Sequence, residues 1–222
     1  MVDIERYIFT LVERLTACFG SRLLYVGLQG SYLRGEATEE SDIDIMAVID
    51  GLSVSDLDAY RAAVKSIQPV DKSCGFICSK ADLASWNPLE ICHLLHSTKD
   101  YYGSLRELIP EYSQQDIINF AKISVNNLYH EICHRHIHGG LERREPGIQN
   151  AYKAVFFILQ NLYYLRSGTY VSNKIELLSL LRGKDHAVLD RLMAIQQGEK
   201  FTYENNFEML FTWCQKTLRS IA

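Results

Sequence analysis

The stretch Gly27-Leu28-Gln29-Gly30-Ser31-Tyr32-Leu33-Arg34-Gly35-Glu36-Ala37-Thr38-Glu39-Glu40-Ser41-Asp42-Ile43-Asp44-Ile45-Met46 decides how this chain folds. Leu23 to Leu28 is an apolar run of strand length, and Gly30-Ser31 ends it. Glycine lets the backbone come close to an anion, and free amides at a following helix start can bind phosphate oxygens. Asp42 and Asp44 are two residues apart, so on a strand both project from one face. Ile43 and Ile45 then point into a core and fix that strand. Two carboxylates on one face repel each other unless a cation sits between them. Hard oxygen donors of this kind suit Mg²⁺ carried with a nucleoside triphosphate.

Outward from this stretch, the first half alternates strand-like and helix-like segments. Ile4, Ile8, Leu11 and Leu15 among charged neighbours make the N-terminus an amphipathic helix rather than a targeting segment. Ser55 to Ile67 reads as a helix, Val70 to Cys78 as a strand and Lys80 to Trp86 as a short helix. Glu90 to His96 reads as a further strand, and Tyr101-Tyr102-Gly103 closes the sheet. From Ser113 the character changes. Ser113 with Asp116 starts a long helix that runs to Gly139-Gly140. Gly147 to Arg166 is apolar on several sides and reads as a central helix stopped by Gly168, and Asn173 with Glu176 opens the next one. The expected fold class is α+β: a mixed β-sheet with helices over residues 1–110, then an all-α bundle over 111–222.

Taken singly, Gly30-Ser31 is a turn and Asp42-x-Asp44 a solvated strand edge. In this order, with Arg34-Gly35 between them and Ser41 just before Asp42, they resemble the signature of the nucleotidyltransferase superfamily typified by DNA polymerase beta. The likeness is strongest over residues 23 to 50 and is closest to two-domain adenylyltransferases of the streptomycin/spectinomycin type. It implies a catalytic N-terminal domain and a helical domain that binds substrate and nucleotide. It also implies transfer of a nucleoside monophosphate, AMP from ATP, onto a hydroxyl of a small acceptor such as an aminoglycoside-like antibiotic. Mg²⁺ would be held by Asp42 and Asp44, with Asp71 as third carboxylate and base; Asp82 and Glu90 are weaker substitutes for it. Gly30, Ser31, Arg34, Ser41 and Lys174 would bind the triphosphate, with Lys153 in reserve. Lys174 follows the cap Asn173, and a cation in a first helical turn makes sense where polyphosphate docks. A protein adenylyltransferase of the antitoxin kind, or a nucleotide-binding module with weak catalysis, are the alternatives.

Composition bounds these readings. The chain has 222 residues, 47% of them hydrophobic, and a formal net charge of -4. That charge argues against general nucleic-acid binding, and no apolar stretch reaches membrane-spanning length. Six cysteines scattered in apolar contexts without a secretory signal read as reduced thiols of a cytoplasmic protein. A homodimer built on the helical half stays open. His130, His134 and His138 recur every four residues and share one helix face beside Cys133 and His136. Such spacing can bind a metal, although a polar face near a helix C-terminus is its commoner use. Arg182-Gly183-Lys184-Asp185-His186 lacks the spacing and helical continuity of a toxin-like RNase site.

Overall fold

A computed structural model describes residues 2–221. The chain divides into two compact units between Tyr112 and Ser113. The first holds a four-stranded sheet in the order β3-β2-β1-β4, built from β1 (Leu23–Leu28), β2 (Ile43–Ile49), β3 (Ser73–Cys78) and β4 (Lys99–Tyr102). β1 runs antiparallel to β2 and to β4, whereas β2 and β3 are parallel. The sheet is mixed, as expected for an α+β chain.

Alternation along β2 separates two cores. Ile43, Ile45 and Ile49 face α1 (Ile4–Phe19) and α3 (Val54–Lys65), packing on Ile8, Leu11, Leu15 and Val64. Met46 and Val48 face the other way and pack with Tyr25, Cys78, Leu83 of α4 (Lys80–Ala84) and Leu105. Asp44 alternates with Met46, so it stands at the open end of this second face.

Glu90 to His96 is not a strand. It belongs to α5 (Pro88–His96), because the Asn87 side chain caps the Leu89 amide and Pro88 is preset for a first helical position. The strand foreseen from Val70 begins only at Ser73, leaving Asp71 in an exposed turn. In the second unit α6 (Gln114–His138) starts with the Ser113–Asp116 capping box. The expected central helix begins earlier and is divided: α7 (Leu141–Ala151) carries Pro146 inside it, and α8 (Lys153–Ser167) follows after Tyr152. A proline that normally marks a helix start here sits beyond one. Gly168, with φ 71°, ends α8. α9 (Lys174–Leu180), α10 (Gly183–Gln196) and α11 (Tyr203–Ser220) complete a bundle around Phe156, Leu159, Leu189 and Trp213. No helix among the described residues is long and apolar enough to cross a membrane.

One ion pair ties the turn just before β1 to α3. Arg22 donates two hydrogen bonds to the Asp56 carboxylate, at 2.7 and 3.0 Å, and Asp56 also accepts from the Ser53 amide and hydroxyl. Arg22 first, and Ser53 next, hold the Asp56 carboxyl well below the usual carboxylate range. A carboxyl depressed on folding stabilises the native state above its unfolded value, about 4, and loses that contribution as pH falls further. Asp56→Asn is therefore expected to lower the thermal midpoint at neutral pH. The gap from wild type should narrow below about pH 4; melting curves across that range provide the check.

Candidate active site

The loop after β1 sets the geometry. Gln29 N–H donates to the Asp44 carbonyl at 2.8 Å, which carries the β1–β2 ladder one step past the strand end. Gly30 then opens the five-residue helix α2 (Gly30–Arg34) with φ +70°, a conformation that disfavours any Cβ. A Cβ on Gly30 would also collide with the Asp44 carboxylate oxygen Oδ2. Glycine at this position is thus what allows the carboxylate and the loop to meet. First-turn amides of a helix have no intrahelical acceptor, so Gly30, Ser31 and Tyr32 offer donors beside Asp44.

Asp42 is exposed just before β2 and Asp44 is half-buried within it. Burial pushes the Asp44 carboxyl above its ordinary range; the charge of Asp42 adds to the rise and Arg34 opposes it. Arg34 is close enough to act on Asp44 and is also bridged to Glu36 at 3.0 Å. The Ser41 hydroxyl accepts the Thr38 amide at 2.9 Å and so closes the turn that delivers Asp42. Lys72 holds the same turn, donating to the carbonyls of Glu39 and Ser41. Gly30, Ser31, Arg34, Ser41, Asp42 and Asp44 thus converge on one end of the sheet. Lys174 belongs to the second unit, where it opens α9 and lies 5.3 Å from the centre of the Phe156 ring.

Asp71 does not join the carboxylate pair. It precedes β3, and among the described residues no three His, Cys, Asp or Glu side chains gather so as to hold one metal ion. Asp82 and Glu90 are occupied elsewhere. Asp82 caps α4 by accepting the Ser79 amide and hydroxyl, and Glu90 accepts the Trp86 indole N–H at 2.8 Å. The parallel β2–β3 register instead places Cys74 directly across from Asp44. Laterally paired residues share a sheet face, so the side chain beside Asp44 on the neighbouring strand is a thiol. Gly75, with φ +132°, follows where a Cβ would strike the Ile45 carbonyl, so β3 runs tight against β2 at this point.

Two further groups escaped the sequence. Tyr25 donates to Asp100 Oδ1 at 2.6 Å, and its phenol is pushed up by burial first and by Asp100 second. His93 on α5 has its imidazole pushed down to about 4, by burial foremost and then by the Arg34 and His96 charges. It is neutral at pH 7 beside Arg34. A correct helical phase for Pro88–His96 is the signal that would have found it.

The carboxylate pair fits a hard divalent cation. Burial foremost, and then Asp42, raise the Asp44 carboxyl, and a bound cation would offset both by favouring the charged form. With two protein carboxylates in place, the remaining ligands of such a cation would come from phosphate oxygens and water.

Residues 16–77 match the family model of the nucleotidyltransferase domain. No curated protein sequence matches the chain. Among solved structures, a spectinomycin adenyltransferase AAD(9) from Enterococcus faecialis, determined with ATP and spectinomycin, superposes with a TM-score of 0.59. It is 14% identical, covering 97% of this chain and 99% of that one, so the two share a fold. A nucleotidyltransferase-like protein from Exiguobacterium sibiricum gives a TM-score of 0.37 at 12% identity, covering 98% of this chain and 75% of that one.

The coupling between the two carboxylates is directly measurable. Asp42→Asn removes a negative neighbour, so the Asp44 pKa should fall; Arg34→Ala removes a positive one, so it should rise. Carboxyl-carbon NMR titrations of the two variants read both signs.

Proposed function

We propose that this protein transfers AMP from ATP onto a hydroxyl of a small molecule, a reading supported by the match of residues 16–77 to the nucleotidyltransferase domain model. The observation that carries this is the close approach of Gly30 to the Asp44 carboxylate, which sets amide donors for phosphate beside oxygen donors for a cation. Asp42 and Asp44 would hold Mg²⁺. When bound, that ion would neutralise charge on the triphosphate and on the departing pyrophosphate. The α2 amides with Ser31 would bind phosphate oxygens, and Arg34, kept in place by Glu36, would add positive charge beside them. Preorganised charge of this sort is the main catalytic resource in phosphoryl transfer. A small-molecule acceptor is supported by the structural neighbour, which was solved with spectinomycin.

The acceptor hydroxyl must lose a proton as the new bond forms. The strand position beside Asp44 carries Cys74 instead of a carboxylate, and Asp71 stays in its turn. This favours a slow enzyme, and it is the observation behind the second reading, a nucleotide-binding module with weak turnover.

Two measurements test these statements. Asp42→Asn combined with Asp44→Asn should abolish pyrophosphate release over a panel of nucleotides and acceptors while leaving the melting curve cooperative. Turnover surviving in that double variant would sink the mechanism. A positioned base contributes roughly 10²–10⁴-fold to such reactions. Cys74→Asp should therefore raise pyrophosphate release by about tenfold or more, and Asp71→Asn should leave it unchanged. The opposite pattern would make Asp71 the base.

A further inference from the structure

The second unit contains a cavity of about 550 Å³ where the end of α6 meets the start of α7. None of the residues assigned above to nucleotidyl transfer lines it. Its wall along α6 is formed by His130, His134 and His138, whose successive ring centres lie 5.9 and 5.0 Å apart.

Arginines supply the rest of the lining. Arg135 is bridged to Glu131 at 3.0 Å, and the mostly exposed Arg143 is only loosely paired with Glu142 at 3.9 Å. Arg144 donates from Nη2 to the His136 carbonyl, but its Nε is buried with no acceptor. A buried donor without a partner is costly, and an anion in the cavity is one way to satisfy it. Arg135, Arg143 and Arg144 outnumber Glu131 and Glu142 even before any histidine is charged. The start of α7 adds to this bias, since Gly140 provides no side-chain cap. The Glu142 carboxylate folds over Gly140, where an added Cβ would lie 2.5 Å from Oε1. An acid of the chain itself therefore already occupies part of the positive region.

We propose that this cavity is a binding site for a phosphate-type oxyanion, with Arg143, Arg144 and the three histidines as donors and Glu142 as the internal competitor. The proposal does not rest on nucleotidyl transfer. Its ligand is either free phosphate or the phosphate group of a small phosphomonoester; both present the same tetrahedral oxyanion.

Histidine ring C–H signals in NMR report on the site directly. The chain has seven histidines, so His93, beside Arg34, serves as an internal control for binding in the first unit. The full chain is titrated with inorganic phosphate and, separately, with AMP. We expect saturable shifts of His134 and His138 with at least one of the two. Arg143→Ala should weaken the midpoint about two- to fivefold, and Glu142→Gln should strengthen it by a similar factor. Both side chains are largely exposed, so these variants should fold. A tighter response to AMP assigns the site to phosphorylated small molecules, and an equal or weaker one assigns it to free phosphate. Unmoved signals of His130, His134 and His138 with both probes, or midpoints indifferent to both substitutions, would overturn the anion site.

Discussion

A carboxylate and a backbone turn can occupy the same few ångströms only where the turn lacks a side chain. Gly30 and Asp44 meet under that constraint. Gly30 opens α2 with a left-handed φ, and its missing Cβ leaves room for the Asp44 oxygen. The hydrogen bond from Gln29 to the Asp44 carbonyl locks the two segments together. Without this contact the phosphate donors and the oxygen ligands would be separate features of one sheet edge.

The sheet supports the contact from both sides. Ile43 and Ile45 anchor β2 in the core beneath α1 and α3, while Met46 and Val48 anchor the opposite face. A strand held on both faces cannot slip register, because a one-residue shift would bury Asp44 and expose an isoleucine. Lys72 and Ser41 then fix the turn before Asp42 by binding carbonyls and an amide. Ser41, which reads in the sequence as a phosphate ligand, thus also serves to aim the acids.

The third-acid position shows why proximity in sequence is a poor guide. Asp71 is the acid nearest to the start of β3, and a strand drawn from Val70 would have brought it toward the pair. The ladder instead begins with Ser73 opposite Ile43, which puts Cys74 across from Asp44 and leaves Asp71 in solvent. Strand register is a long-range property, decided by how β3 packs on β2, and local pattern carries little of it. The α5 segment makes the same point from the other direction. A short apolar run is ambiguous between strand and helix, and here Asn87 and Pro88 resolve it.

Local chemistry in the chain was enough to establish the β1–loop–β2 unit, the Asp42–Asp44 pair, the Ser113–Asp116 and Asn173 helix starts and the α+β class. Each of these depends on contacts a few residues apart or on side-chain alternation within one strand. Tertiary structure alone decided the partner of Asp44 on β3, the depressed imidazole of His93 and the Arg–His cavity at the α6–α7 junction. Those depend on which distant segments pack together and on how much water the packing removes. Neither is written in the spacing of residues along the chain.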